Sequence, residues 1–296
     1  MTNKKVIALV GPTASGKTSL AIKLAKKFGG EIICVDSRTV YKGMDIGTAK
    51  PTQKEQSEIP HYMLDIATPD YALTVSKFKN IVVELIDEIV SRGKTPFLVG
   101  GSGLYMDAIV YGYEMPPEGN PALRLQLEKL SNEELVEKLE KLDPKCAEKI
   151  DQKNKRRLIR AVEVCMLTGK PFSEQKNKKT PDYKTLYLGI DIPKEKLVPK
   201  ISLRIDEMIH RGLVDEARIL MSQYRFDLPA MSSVGYQEII RYLKGNISLK
   251  EAIDEIKKNT VDYARRQITW FNKNKDIIWI TNYSDAEEKI ESFLGN

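Results

Sequence analysis

The chain has 296 residues, enough for one large domain or for one domain with an insertion. Its 42% hydrophobic and 30% charged residues are typical of a soluble globular protein, and no apolar run approaches the roughly 20 residues of a membrane-spanning helix. Three widely spaced cysteines and two histidines argue against a disulfide framework or a zinc site and favour the cytoplasm, while a net charge of +6 is weak evidence for a polyanionic partner.

The first third of the chain alternates between strand and helix patterns. Short apolar runs predict three strands, at residues 6–10, 31–35 and 96–100. Apolar side chains at helical spacing predict three helices, at residues 17–28, 75–92 and 103–110. The segment between residues 36 and 74 is rich in Gly, Pro and Asp and is predicted to be irregular. This alternation predicts an α/β fold with a parallel sheet covered by helices.

The pattern changes after a break rich in proline and glutamate at residues 113–121. Residues 122–169 are highly charged and helical in spacing, and a polar connector at 176–180 follows. Strand patterns return at 185–190 and at 277–280, within a remainder dominated by helices. We therefore predict a discontinuous core of residues 1–113 and 183–296, interrupted by an all-helical insertion domain at residues 114–182.

The first predicted strand leads into the sequence GPTASGKT at residues 11–18, which matches the phosphate-loop pattern G-x-x-x-x-G-K-[ST]. Backbone N–H groups, a helix N-terminus and Lys17 attract phosphate in such a loop, and Thr18 is placed to reach Mg²⁺. Most chains with this loop bind ATP or GTP. The pattern predicts a phosphate site without specifying which phosphate compound it holds.

Two further segments follow predicted strands. Asp36, in VDSRTVY, stands at the carboxyl end of the second strand, where it can hold Mg²⁺, accept a proton or cap a turn. The glycines of GGSGLY allow a ligand to approach the backbone, and Ser102 can bind a phosphate oxygen or cap the next helix. FLVGGSG has glycine where many nucleotide hydrolases have aspartate, which argues against plain ATP hydrolysis or phosphoryl transfer.

In their order and spacing, these segments closely resemble the tRNA dimethylallyltransferase (tRNA isopentenyltransferase) family of bacterial type. The resemblance rests on GPTASGKT, VDSRTVYKGMDIGTAKPT, IPHYMLD and FLVGGSGLY, and continues through RRLIRAVEV, LTGKP, RIDEMIHRGL, SSVGYQE and YARRQITWF. It runs from about residue 6 to residue 271. It implies a P-loop NTPase-like α/β fold and a monomeric cytoplasmic enzyme. Such an enzyme transfers a dimethylallyl group from dimethylallyl diphosphate to N6 of the adenosine 3′-adjacent to the anticodon in tRNA, releasing diphosphate.

The resemblance also implies roles for individual residues. Asp36 is the general base, and Lys17 and Ser102 are catalytic beside it. The diphosphate is held with Mg²⁺, which Thr18 would ligate, by Arg204 and by Gly11, Pro12, Thr13, Ala14, Ser15, Gly16, Lys17 and Thr18. The anticodon stem-loop of tRNA is contacted by Asp36, Ser37, Arg38, Thr39, Ser102, Arg124, Arg156, Arg157, Leu158, Ile159, Arg160, Arg265, Arg266 and Gln267. Thr39 stands where the family usually has glutamine.

The residues themselves add independent expectations for three of these segments. Arg156, Arg157 and Arg160 share one side of a helix, which suits either RNA phosphates or a solvated basic face, whereas Leu158, Val162 and Cys165 point towards a core. Trp270 and Phe271 are more typical of core positions than of base stacking. Arg204 borders an apolar helix face, where it either extends to solvent or points into a site.

Three other functions compete with tRNA prenylation. An adenylate isopentenyltransferase would use free AMP, ADP or ATP as acceptor, but it needs neither a helical insertion nor basic stripes. A P-loop kinase would transfer phosphate, which the missing aspartate argues against. A non-catalytic tRNA-binding protein would be expected to lack the base or the lysine, and Asp36 and Lys17 are both present.

Overall fold

The computed structural model describes residues 4–175 and 179–295. It divides into two compact units. The sheet unit comprises Met1–Leu73, Lys77–Val110 and Asp182–Asn296, and the helical unit comprises Thr74–Ser76 and Tyr111–Pro181. Residues 176–178 of the predicted connector lie outside the described residues.

Strands and helices alternate through the first part of the chain, as the sequence predicts. The strands are β1 (Lys5–Val10), β2 (Gly30–Cys34), β3 (His61–Tyr62), β4 (Thr95–Gly100), β5 (Lys184–Ile190) and β6 (Ile278–Ile280). The helices are α1 (Lys17–Lys27), α2 (Gln53–Glu58), α3 (Val75–Ser91), α4 (Gly103–Val110), α5 (Pro121–Leu127), α6 (Asn132–Leu142), α7 (Pro144–Lys149), α8 (Lys155–Thr168), α9 (Lys194–His210), α10 (Leu213–Gln223), α11 (Tyr236–Leu243), α12 (Leu249–Phe271) and α13 (Tyr283–Leu294). Within the described ranges, no helix is both long enough and apolar enough to cross a membrane.

One parallel sheet organises the sheet unit, with the strand order β3–β2–β4–β1–β5–β6. Ile7 and Leu9 of β1 pack in a cluster with Leu24 of α1 and Ile290 of α13. The alternate residue Ala8 is equally buried, so both faces of this central strand are covered. Burial on both faces explains why the strands of this sheet read as continuous apolar runs.

The strand register brings three loops to one edge of the sheet. Val10 pairs with Gly100, and Cys34 pairs with Val99, so β1, β2 and β4 end at nearly the same level. The phosphate loop, Asp36 and Ser102 each follow one of these three strands. Open parallel sheets bind ligands at this carboxyl edge.

The segment predicted to be irregular, 36–74, contains two regular elements that the sequence analysis missed. Helix α2 begins with a capping box, in which Thr52 Oγ1 accepts the Glu55 N–H (3.2 Å) and the Glu55 carboxylate accepts the Thr52 N–H (2.8 Å). The T-x-x-E spacing in the sequence is therefore enough to predict the start of this helix. Strand β3 is only two residues long and pairs with β2 at the edge of the sheet, so it carries no such local signal.

The helical unit has its own apolar core. Leu135 and Leu139 of α6 pack against Leu158, Val162 and Cys165 of α8, and all five side chains are buried. The side chains at 158, 162 and 165 thus face a core, as their helical spacing predicts. Ser131 and Glu134 form a capping box that fixes the start of α6.

Candidate active site

The phosphate loop (residues 11–18) connects β1 to α1 through two residues with positive φ. Gly16 (φ 88°) precedes the first residue of α1, and Ala14 has φ 61°. Left-handed residues in such a turn direct successive backbone N–H groups towards one concave side, where they can bind an anion. A non-glycine residue held there costs about 1–2 kcal/mol, and strain of this kind is characteristic of ligand-binding turns.

Two cations and one carboxylate share the space beside this loop. Lys17 is half-buried at the start of α1, and its Nζ donates to the carbonyl of Pro12 (3.2 Å). Burial, and then the positive charge of Arg204, lower the pKa of Lys17 to about 8, against the opposing charge of Asp36. Burial likewise lowers the pKa of Arg204, again against the charge of Asp36. The arrangement carries an excess of positive charge that a diphosphate would neutralise.

Asp36 is held by the backbone of its own turn. Its Oδ1 accepts the N–H of Arg38 (2.8 Å). The Arg38 guanidinium donates to the carbonyl of Pro229 (2.5 Å) and to Ser232 Oγ (3.3 Å), which ties this turn to the short helix at Pro229–Ser232. The carboxylate therefore has a fixed position at the carboxyl edge of the sheet.

Ser102 is bonded to the same turn, because its Oγ accepts the N–H of Ser37 (3.1 Å). Tyr263 of α12 also bonds to Ser102. Burial raises the pKa of Tyr263, and the charge of Asp36 raises it further. The phenol therefore stays protonated at neutral pH and does not serve as a base.

The glycines beside Ser102 accommodate protein atoms. A Cβ on Gly100 would lie 1.9 Å from the carbonyl oxygen of Val35, and a Cβ on Gly101 would lie 2.3 Å from Gln267 Nε2. These contacts give the glycines a packing role. The expectation that they also admit a ligand to the backbone stays a prediction.

Gln267 connects the phosphate loop to the turn after β4. Its Oε1 accepts the N–H of Thr13 (2.8 Å), and its Nε2 donates to the carbonyl of Gly101 (2.9 Å). The side chain is buried, and the predicted contact of this residue with tRNA stays a prediction. The helical spacing already indicated that Gln267 is buried. It lies three residues after Ala264 and four before Phe271, and both of these are buried on the same helix face.

Replacing Gln267 with methionine is expected to weaken the binding of inorganic diphosphate roughly tenfold, because the Thr13 N–H and the Gly101 carbonyl both lose their partner and the loop loses its fixed position. Isothermal titration would measure this change, with thermal unfolding as a check on folding. Arg265→Met is the matched control on the exposed side of the same helix. Unchanged affinity in the folded Gln267→Met protein would contradict a positioning role.

The other side chains of the sheet unit predicted to meet RNA differ in exposure. Arg265 and Arg266 are exposed on α12; Arg265 pairs with Asp262 (3.1 Å), and the Arg266 guanidinium lies 5.9 Å from the centre of the Tyr263 ring. Thr39 is buried, and its hydroxyl has no hydrogen-bond partner among the described residues. The predicted contact between Thr39 and RNA stays a prediction.

In the helical unit, one buried carboxylate holds two of the predicted RNA-binding arginines. Glu163 accepts from Arg124 Nε (2.8 Å) and Nη2 (3.0 Å), and from Arg160 Nη1 (2.8 Å). Burial alone would raise the pKa of Glu163, but the two guanidiniums hold it below its usual value. The sequence analysis missed Glu163, although it stands three residues after Arg160, where helical neighbours meet.

The basic segment of α8 divides into exposed and buried positions. Arg156 and Arg157 are exposed and remain candidates for phosphate contacts. Leu158 and Ile159 are buried in the core of the helical unit. Their side chains are covered by α6 and its neighbours, and the predicted tRNA contacts of these two residues stay predictions.

The fold and this site define a P-loop α/β protein with a phosphate-loop turn and two cations next to a carboxylate. The family model described as IPP transferase matches residues 39–274. The chain is 43% identical to the tRNA dimethylallyltransferase of Acetivibrio thermocellus, over 96% of this chain and 94% of the relative. It is 43% identical to the same enzyme of Roseiflexus sp., over 98% and 97% of the two chains.

Solved structures agree with these relatives. The full-length tRNA isopentenylpyrophosphate transferase of Bacillus halodurans superposes with a TM-score of 0.74 at 38% identity, covering 99% of this chain and 96% of that one. A eukaryotic dimethylallyltransferase acting on tRNA superposes with a TM-score of 0.82 at 28% identity, covering 98% and 78%. The chain belongs to the IPP transferase family. The predicted family and the predicted fold class are confirmed.

Proposed function

We propose that this protein transfers a dimethylallyl group from dimethylallyl diphosphate to N6 of the adenosine 3′-adjacent to the anticodon in tRNA. The observation that carries the proposal is the placement of Lys17 and Arg204 beside Asp36 at the carboxyl edge of the sheet. The two cations suit the charge of a diphosphate, and the carboxylate suits an acceptor that must lose a proton as it reacts.

The chemistry requires both features. The amino group of adenine is a poor nucleophile because its lone pair is delocalised into the ring. Asp36 accepts one N6 proton as the new N–C bond forms and the bond from the allylic carbon to the diphosphate oxygen breaks. Lys17, Arg204 and the N–H groups of the phosphate loop stabilise the charge that develops on the departing diphosphate. The proton on Asp36 then passes to solvent.

Magnesium fits the donors present at this site. Thr18 is half-buried in the first turn of α1, directly after Lys17. Mg²⁺ is commonly held by few protein oxygens together with substrate phosphates and water, and the described residues contain no cluster of three acidic, histidine or cysteine side chains that could hold a metal. We infer that Thr18 is the protein ligand and that the diphosphate supplies further oxygens. When bound, the ion adds positive charge at the leaving group.

For the RNA, the target adenosine has to leave the stack of the anticodon loop to reach Asp36. We assign contacts with the nucleotide and its neighbours to Ser37, Arg38 and Ser102. Contacts with RNA phosphates are assigned to the exposed or half-buried arginines Arg124, Arg156, Arg157, Arg160, Arg265 and Arg266. The protein is proposed to act as a monomer in the cytoplasm, where its tRNA substrate is found.

A transfer assay tests this function. Purified protein and Mg²⁺ are mixed with labelled dimethylallyl diphosphate and an anticodon stem-loop. A matched stem-loop carries guanosine at the target position, and parallel reactions contain free AMP or ATP. Label is expected only in the stem-loop with adenosine. Label in AMP alone would show an adenylate isopentenyltransferase, and consumption of ATP without label in RNA would show a P-loop kinase.

A further inference from the structure

Trp270 combines solvent exposure with a fixed orientation. Its side chain is 42% exposed, whereas the next residue, Phe271, is fully buried. The indole Nε1–H donates to Asp107 Oδ2 (2.8 Å), and Asp107 Oδ1 accepts the hydroxyl of Tyr187 (3.1 Å). Asp107 and Tyr187 are both buried, so they hold the ring by one edge. The expectation that Trp270 belongs to the core is therefore wrong in part.

The indole lies next to the turn that carries Ser102. A Cβ on Gly103 would come within 2.3 Å of Cδ1 and 2.5 Å of Nε1 of the Trp270 ring, so the ring rests on the backbone of that glycine. Ser102 precedes Gly103 and bonds to the N–H of Ser37, the residue after Asp36. An exposed aromatic ring thus stands close to the proposed acceptor site.

A positive charge accompanies this ring on α12. Arg266 lies one turn before Trp270, is exposed, and has its guanidinium over the ring of Tyr263. Fixed aromatic side chains beside cations are the usual platform for unpaired bases, because every base offers a π face and the adjacent phosphate attracts the cation. Asp107 and Gly103 already hold the indole in one orientation. Binding a base therefore loses little side-chain entropy, which favours binding.

We propose that Trp270 is a stacking platform for an unpaired RNA base next to the target adenosine. This inference rests on the proposed function, because it assigns a contact to the RNA substrate of the same site. It separates Trp270 from the neighbouring arginines: the indole contributes stacking, which depends little on salt, whereas arginine–phosphate contacts weaken steeply as salt rises.

Fluorescence provides a direct test. The chain has two tryptophans, so Trp279→Phe leaves Trp270 as the only indole. Titration of this protein with the anticodon stem-loop, without the allylic substrate, is expected to quench most of the indole emission. The quenching should saturate at the RNA concentration at which a labelled stem-loop reaches full anisotropy. Binding seen by anisotropy with unchanged emission would overturn the proposal.

Variants of the ring separate stacking from folding. Trp270→Leu is expected to raise the KM for the stem-loop roughly tenfold to a hundredfold, with the KM for dimethylallyl diphosphate changed less than about twofold and the salt dependence of RNA binding unchanged. Trp270→Phe keeps a π face and should recover part of the affinity. A stem-loop KM unaffected by Trp270→Leu would contradict stacking. Quenching without prenyl transfer by the unmodified protein would support the platform and overturn the proposed function.

Discussion

Replacing Asp36 with asparagine is expected to lower the rate of prenyl transfer to RNA about a hundredfold to ten-thousandfold, because the amide cannot accept the N6 proton. Asparagine keeps an oxygen that can accept the N–H of Arg38, the bond that Asp36 makes at 2.8 Å, so the turn should retain its structure. The rate is measured in a single turnover with RNA already bound, and the Kd of the stem-loop is measured by anisotropy.

The matched control for this variant is Asp70→Asn, which removes an exposed carboxylate elsewhere in the sheet unit. The control should transfer at the unmodified rate. The Asp36→Asn protein should bind RNA within about twofold of the unmodified Kd, since the substitution removes one acidic charge and leaves the arginines in place. A transfer rate within tenfold of the unmodified protein would show that another group takes the proton.

Lys17 is expected to make diphosphate binding depend on pH. Its pKa is about 8 in the unliganded protein, and a bound diphosphate raises this pKa because it favours the charged ammonium. The contribution of Lys17 is therefore fully present below pH 8. It is lost as the pH rises from 8 to the higher pKa of the complex, with a slope of at most tenfold per pH unit over that window. Titration of inorganic diphosphate between about pH 7 and pH 9.5 measures this loss.

Two substitutions identify the lysine as the source of that dependence. Lys17→Ala should weaken diphosphate binding roughly tenfold to a hundredfold at pH 7, the range of a lost charge-assisted hydrogen bond, and should remove the lysine-dependent slope. Lys17→Arg should also remove the slope, because a guanidinium stays charged throughout this range. Lys23→Ala, an exposed position on the same helix, is the control and should behave as the unmodified protein. A slope that persists in Lys17→Arg would assign the titration to another group.

The parts of the site that lie within one short segment were predictable. The phosphate loop depends on its own glycine and lysine spacing, and the turns at Asp36 and Ser102 follow apolar runs that could only be strands. No local pattern predicts the partners of these segments, since Arg204, which only the resemblance indicated, and Gln267 come from helices far along the chain. Gln267 shows the limit clearly: it stands beside Arg265 and Arg266 in sequence, yet it is buried and bonded to the phosphate loop.

The helical unit shows the same limit for charged residues. The basic stripe of α8 could be recognised by spacing, but its link to Arg124 through Glu163 depends on the packing of α5 against α8. Leu158 and Ile159 follow the arginines directly, and their burial is decided by the core that α6 completes. A resemblance transferred over a whole segment therefore includes residues whose side chains lie in the core.

By itself, the sequence determined the strand and helix alternation, the phosphate loop and the place of Asp36 after the second strand. These features depend on side-chain periodicity and on the backbone preferences of a few adjacent residues. Only the tertiary structure decided that β3 joins the sheet, that Lys17 and Arg204 flank Asp36, and that Trp270 is both exposed and fixed. Each of these depends on burial and contact between segments distant in the chain, which no local pattern encodes.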